Sequence, residues 1–255
     1  MEDGSSASGM INTVVRLGDT IRRPTNRWTA AVHSLLRHLE KAGLAQIPQV
    51  LGLDETGREI LSFLPGEVAN RPWPETLQQE SGLIQIGTFL RGYHKAVEGY
   101  LPPEDIEWYV PELVWKPGQI ICHGDLAPWN TLWNNGKLSG VIDWDFAKPE
   151  EPLDDVAQFA WHGIPLRDET TWCQAGFKDE PNVKARLFVL STSYGADPIK
   201  VIDALLRLQT EEIHRINRLG RNGVKPWKFF KERGDAEKIQ EENKWLKNNR
   251  RRILG

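Results

Sequence analysis

Ile121-Cys122-His123-Gly124-Asp125-Leu126-Ala127-Pro128-Trp129-Asn130-Thr131-Leu132-Trp133-Asn134-Asn135-Gly136-Lys137-Leu138-Ser139-Gly140-Val141-Ile142-Asp143-Trp144-Asp145-Phe146 is the stretch from which this chain is read. Its middle predicts a hairpin. Thr131 to Trp133 forms one strand, Asn134-Asn135-Gly136 the turn and Lys137 to Ile142 the returning strand, because Asn and Gly tolerate the positive φ of a tight hairpin. Closing it sets Asn130, just before the first strand, beside Asp143, just after the second. Residues two apart on an extended strand share a face, so Asp145 and Asp143 can both approach one ion.

These residue types suit one chemistry. Phosphoryl transfer leaves the protein little covalent work, and a site for it mainly positions a hydroxyl and neutralises charge on the ATP phosphates. Asp125 offers a carboxylate that orients the hydroxyl and accepts its proton late in the reaction. Asn130 supplies a neutral carbonyl oxygen and Asp143 an anionic one, which suits Mg²⁺, a hard cation usually held by one or two carboxylates, waters and substrate phosphates. Asp125 and Asn130 are spaced like the base and the metal-binding amide of a kinase catalytic loop. His-Gly-Asp by itself is a common loop sequence, and Asp125 there can simply cap its own turn. The Asn130 spacing, the hairpin and Asp143 together outweigh that bland alternative.

This arrangement resembles the aminoglycoside phosphotransferase and choline kinase family, most sharply from Ile121 to Ala157. The resemblance implies an α+β, two-lobed, protein-kinase-like fold with a small β-rich N-terminal lobe and a larger, mainly helical C-terminal lobe. Asp125 would be the catalytic base, Asn130 and Asp143 the magnesium ligands, and His123 a scaffold residue of the loop. The family pattern favours Asp143 over Asp145, which is read as a residue supporting the ligands from behind or as an ion-paired one. Asp155, in Asp154-Asp155-Val156-Ala157, would brace the catalytic loop. The cofactors implied are ATP or GTP with Mg²⁺.

The N-terminal stretch fits that frame with departures. Met10 to Leu17 and Thr20 to Arg23 are expected as strands joined at Gly18-Asp19, followed by a helix from Trp28 to Ala42 with Val32, Leu35, Leu36 and Leu39 on one face. Strands are expected over Ile47 to Leu53 and Arg58 to Leu64. In the resembling family this lobe presents a lysine to the phosphates. Here the matching residue is Arg22, with Arg23 adjacent, and Arg is a bidentate phosphate partner of different shape. The helical Glu that pairs with that cation is not evident, since the stretch reads Ala31-Val32-His33-Ser34. Gly4 to Gly9 is either a phosphate-covering loop of small residues or an uninformative terminus. Ser62-Phe63-Leu64, before the turn at Pro65-Gly66, resembles the interlobe hinge where backbone groups meet adenine. The expected division is residues 1–66 for nucleotide and hinge, and 67–255 for the catalytic loop and acceptor.

Beyond residue 66, helices are expected over Thr76 to Val97, Leu153 to Trp161, Asn182 to Tyr194, Pro198 to Leu219 and Ala236 to Ile253. His94 beside the apolar face of the first of these reads as structural. Trp129 and Trp144 flank the proposed site and shape its pocket. Of 255 residues 26% are charged and 40% hydrophobic, an ordinary globular balance with a net charge of −3. Cys122 and Cys173 have no metal-ligand spacing, and Cys122 reads as core. No apolar run is long enough to span a bilayer and the start has no leader pattern, so a cytoplasmic enzyme is expected. Partners are expected to be a small hydroxyl-bearing molecule, with neither nucleic acid nor membrane, despite a basic end at Lys247 and Arg250 to Arg252.

The favoured function is an ATP-dependent kinase of an aminoglycoside-like antibiotic or metabolite. The alternative is a catalytically weak nucleotide-binding pseudokinase acting as a regulatory or toxin-immunity factor. The acid-rich segment from Glu150 to Glu180 is expected to line the mouth of the site and to favour a neutral or cationic acceptor.

Overall fold

The computed structural model describes residues 6–8, 13–110, 113, 115–167 and 169–255. Strands β1 (Ser6–Ser8), β2 (Thr13–Leu17), β3 (Thr20–Arg23), β4 (Val50–Leu53) and β5 (Glu59–Ser62) form an antiparallel sheet in the order β1-β2-β3-β5-β4. Helix α1 (Thr29–Lys41) runs between β3 and β4. It buries Ala31, Val32, Leu35, Leu36 and Leu39, each at most 1% exposed. Full burial of one such leucine contributes roughly 1.5–3 kcal/mol, so this stripe fixes the helix against its neighbours. Of the segment from Gly4 to Gly9, Gly4, Ser5 and Gly9 lie outside the described residues, as do Met10 to Asn12 of the expected first strand. Ser6–Ser8 is paired to β2 as an edge strand.

The chain then passes through β6 (Glu67–Val68) into helices α2 (Glu75–Gln78) and α3 (Glu80–Val97). The single helix expected from Thr76 is thus two. Gln79 takes extended geometry, with ψ 165°, and breaks it. Strand β7 (Ile120–Cys122) pairs with β10 (Lys148–Glu150), and between them lies the hairpin of β8 (Thr131–Asn134) and β9 (Lys137–Val141). Asn135 and Gly136 hold φ of 48° and 72° at its turn, as the Asn-Gly signal requires.

The remainder is helical: α4 (Leu153–Gly163), α5 (Glu169–Gln174), α6 (Val183–Tyr194), α7 (Pro198–Arg221), α8 (Trp227–Glu232) and α9 (Asp235–Leu254). Helix α3 is the axis of this part, with Leu83, Ile86, Leu90 and Tyr93 fully buried. A Cβ at Gly87 would come within 2.8 Å of the Leu190 carbonyl oxygen, so glycine permits the close approach of α6. Among the described residues no helix is long and apolar enough to cross a membrane. The fold is α+β, with a small sheet-bearing N-terminal lobe and a larger helical one, as expected.

Candidate active site

Strand β7 delivers His123-Gly124-Asp125 to the floor of a cleft of about 1650 Å³ between sheet and helices. The loop is held from below. Asp155, in the first turn of α4 and 1% exposed, accepts the backbone N–H of His123 at 2.8 Å and of Gly124 at 3.0 Å. His94 Nε2 on α3 lies 3.2 Å from the same carboxylate, and its Nδ1 is 2.9 Å from the Tyr194 hydroxyl. Burial alone would raise the Asp155 pKa, but the hydrogen bond and charge of His94, then His123 and the Gly124 N–H, hold it below the usual carboxylate value.

The His123 ring joins two chain segments. Its Nε2 is 3.0 Å from the Ile142 carbonyl oxygen and its Nδ1 is 3.3 Å from the Asp125 N–H. A carbonyl can only accept, so Nε2 carries the proton and Nδ1 is the acceptor. Burial lowers the His123 pKa, which keeps that neutral form. Gly124 has φ +77°, and a Cβ there would overlap the Phe146 carbonyl oxygen, so no other residue fits.

The hairpin brings Asn130 and Asp143 together through the hydrogen bond from the Ile142 N–H to the Asn130 carbonyl, 2.9 Å. The Asn130 Nδ2 donates to the Asp125 backbone oxygen at 2.8 Å and to its Oδ2 at 2.9 Å. With the amide nitrogen engaged twice, the Asn130 Oδ1 is the atom left for another partner. Asp143 stands in left-handed geometry, φ 61°, with its side chain 49% exposed. One neutral and one anionic oxygen at the cleft floor is a donor set that fits a hard divalent cation. Burial, then the charge of Asp143, pushes Asp125 up to about 7, opposed by hydrogen bonds with Asn130 and Trp129.

The cation that faces this floor is Arg23, which corrects the expectation of Arg22. Adjacent side chains on a strand point to opposite faces. Arg22 turns toward Asp54, 3.9 Å away, and does not line the cleft. The Arg23 guanidinium reaches Glu59 at 2.5 Å, Asp145 at 2.7 Å and Asp143 at 3.6 Å. Glu59 sits opposite Arg23 in the β3-β5 register, and His33 of α1 contacts its other oxygen at 2.7 Å. The acid missing from the helix is therefore supplied by the sheet. Burial would lower the Arg23 pKa, yet Asp145, Glu59 and Asp143 raise it and keep the group charged.

Ser62, Phe63 and Leu64 line the cleft where the hinge was expected. Two of their backbone donors are engaged: the Ser62 N–H on Gln49 and the Phe63 N–H on Asp19. Among the described residues nothing is bonded to the Leu64 N–H. Among the described residues, no acid of the acid-rich segment lines the cleft, contrary to expectation. Glu150 pairs with Lys148 and Arg215, Asp154 with Arg207 and Glu180 with Arg252, while Asp168 lies outside the described residues. Asp155 braces the turn at His123 and Gly124, and Asp154 ties α4 to α7. Sequence reasoning missed Arg23 as the cleft cation, Glu59 and His33 behind it, and the wall formed by Trp161, His162 and Arg71. The alternation of faces on β3 was the available signal for Arg23.

With this geometry in place, a family model described as the phosphotransferase enzyme family matches residues 100–181. The resemblance read from the sequence holds. The trifolitoxin immunity protein of Rhizobium leguminosarum bv. trifolii is 37% identical over 162 residues, or 62% of this chain and 60% of that protein. This chain thus spans less than two thirds of that relative's length. The solved structure of amicoumacin kinase hAmiN in complex with AMP-PNP, Ca²⁺ and Ami superposes with a TM-score of 0.63 at 12% identity, covering 84% of this chain and 80% of that one. The GDP complex of wild-type aminoglycoside 2'-phosphotransferase-IIIa gives 0.60 at 14% identity, covering 97% and 94%. These likenesses establish a kinase-like fold across nearly the whole chain.

Proposed function

We propose that this protein is an ATP-dependent phosphotransferase that moves the γ-phosphoryl group to a hydroxyl of a small molecule. The observation that carries this reading is the meeting of Asp125, Asn130 and Asp143 on one cleft floor, with Arg23 above it. Asp125 would orient the acceptor hydroxyl and take its proton, while the Asn130 bond fixes the carboxylate rotamer. Asn130 and Asp143 would hold Mg²⁺, which when bound neutralises charge on the phosphates. Arg23, kept charged by Asp145 and Glu59, would face those phosphates, and the Leu64 N–H would meet the base. Residues 1–66 would serve the nucleotide and 67–255 the acceptor. The work would take place in the cytoplasm, where ATP is available.

Asp125→Ala tests this directly. Turnover should fall by roughly two to four orders of magnitude, the scale of a lost acid-base group, with Mg-ATP affinity nearly unchanged. Unchanged turnover removes the assignment. One observation favours a second reading, a catalytically weak immunity factor: the 37% identical relative is named as an immunity protein. Protection of a toxin-exposed host by the Asp125→Ala chain, equal to that by the natural chain, would select it.

A further inference from the structure

Next to Asp125 the cleft has an aromatic wall, whose Trp129 also favours the Asp125 carboxylate through a side-chain hydrogen bond. Trp129, four residues after Asp125 and 41% exposed, presents its indole to the cleft. Its ring lies 4.8 Å from that of His162, which in turn stacks on Trp161 at 4.7 Å and 19°. A large ring left this exposed at a pocket is contact area for a partner, since aromatic surface of this kind gains by stacking. Enclosure of the His162 ring, then the charges of Arg167 and Arg71, drive its pKa down to about 3. It is therefore a neutral ring at physiological pH, and the stack carries no cation of its own.

The charges around the stack are unbalanced in one direction. Glu212, Glu232, Asp235 and Glu242 also line the cavity, and each has a cation within 4 Å: Arg215, Lys228, Arg233 and Arg167. Arg71 is different. It lines the same cavity and bonds the side-chain oxygen of Gln174 at 2.9 Å, and among the described residues no carboxylate pairs with it. An ammonium group entering here meets acids that are taken, whereas a carboxylate meets a guanidinium with free donors in a fork that matches it.

We propose that this wall is the acceptor subsite and that it selects a hydroxyl compound bearing a planar unsaturated ring and a carboxylate, the ring lying on Trp129, which His162 backs, and the carboxylate on Arg71. The proposal rests on the phosphotransferase reading for the word acceptor, and it replaces the cationic acceptor expected from the sequence. It asks nothing of Glu150, Asp154 and Glu180, which are paired with Lys148, Arg207 and Arg252.

Three probes of similar size separate the terms: 4-(hydroxymethyl)benzoate, 4-(hydroxymethyl)benzylamine and trans-4-(hydroxymethyl)cyclohexanecarboxylate. Their dissociation constants are measured with the full chain by titration calorimetry. The benzoate should bind about tenfold more tightly than the benzylamine, as one charge-assisted contact implies, and several-fold more tightly than the cyclohexane acid. Arg71→Gln should erase the first preference and leave the second, and Trp129→Leu the reverse. Both side chains are exposed enough for the variants to fold. Equal or tighter binding of the benzylamine, preferences that survive both substitutions, or no binding of the benzoate at millimolar concentration would overturn the proposal. Phosphorylation assays on the same probes keep the parent reading separate. Selective binding without transfer to any probe leaves the subsite and removes the kinase, and transfer to the benzylamine alone does the opposite.

Discussion

Asp155→Asn is the substitution whose effect the structure constrains most tightly. The side chain keeps its volume, but three donors converge on the native carboxylate: two backbone N–H groups at 2.8 and 3.0 Å and His94 Nε2 at 3.2 Å. The amide removes the charge from all three contacts and turns an N–H₂ group toward at least one donor. Hydrogen bonds to a charged group contribute about 1.5–3 kcal/mol each, and breaking a buried pair costs about 3–5 kcal/mol. A loss of roughly 3–5 kcal/mol corresponds to a Tm lower by about 6–20 °C in a chain of this size. Thermal denaturation followed by circular dichroism measures it, and faster exchange of the His123 and Gly124 amides locates it. The pH dependence has a definite sign. The folded pKa of Asp155 lies below its unfolded value of 3.8, so the unfolded chain takes the proton first and the stabilisation is full above that value. It is lost as pH falls through the lower folded value, so the Tm gap between the natural chain and the Asp155→Asn chain should narrow below about pH 4. A Tm within about 2 °C at neutral pH, or a gap that widens in acid, would refute the reasoning.

Other substitutions probe the remaining parts. Asp143→Ala should weaken nucleotide binding in the presence of Mg²⁺ more than in its absence, and equal losses by calorimetry would make Asp143 structural. Arg23→Gln leaves Glu59 and Asp145 buried without their cation and should cost about 3–5 kcal/mol in urea denaturation, whereas Arg22→Gln should cost under about 1 kcal/mol. Similar losses for the two would mean that the faces of β3 are misassigned. Gly124→Ala forces a Cβ onto the Phe146 carbonyl in a left-handed conformation, so turnover should vanish and the yield of folded protein should drop. Full activity in that variant would contradict the loop geometry.

The sequence disclosed what local chemistry determines. The hairpin and the meeting of Asn130 with Asp143 follow from a turn whose residues are adjacent in the chain, and α1 and α7 follow from apolar spacing. It was silent where partners come from afar. Arg23 and Glu59 are 36 positions apart, and which strand face looks inward depends on the β3-β5 register, which no single strand reveals. Trp161 and His162 sit in a helix whose spacing reads as packing, and only the fold turns that face toward Trp129. The acid-rich segment misled because composition records charges and not the arginines that reach them from α7.

The contact from His33 through Glu59 and Arg23 to Asp145 runs from α1 across the sheet to the loop after β9. The two sides of the cleft are thus latched by ions as well as by oily contact. Apolar association weakens on cooling and leaves a large heat-capacity signature when it is broken. A buried ionic latch lacks that signature, and it is poorly screened by salt. Parting the lobes at this point should therefore be opposed as firmly in the cold as at growth temperature, which suits a clamp that must stay in register while ligands exchange.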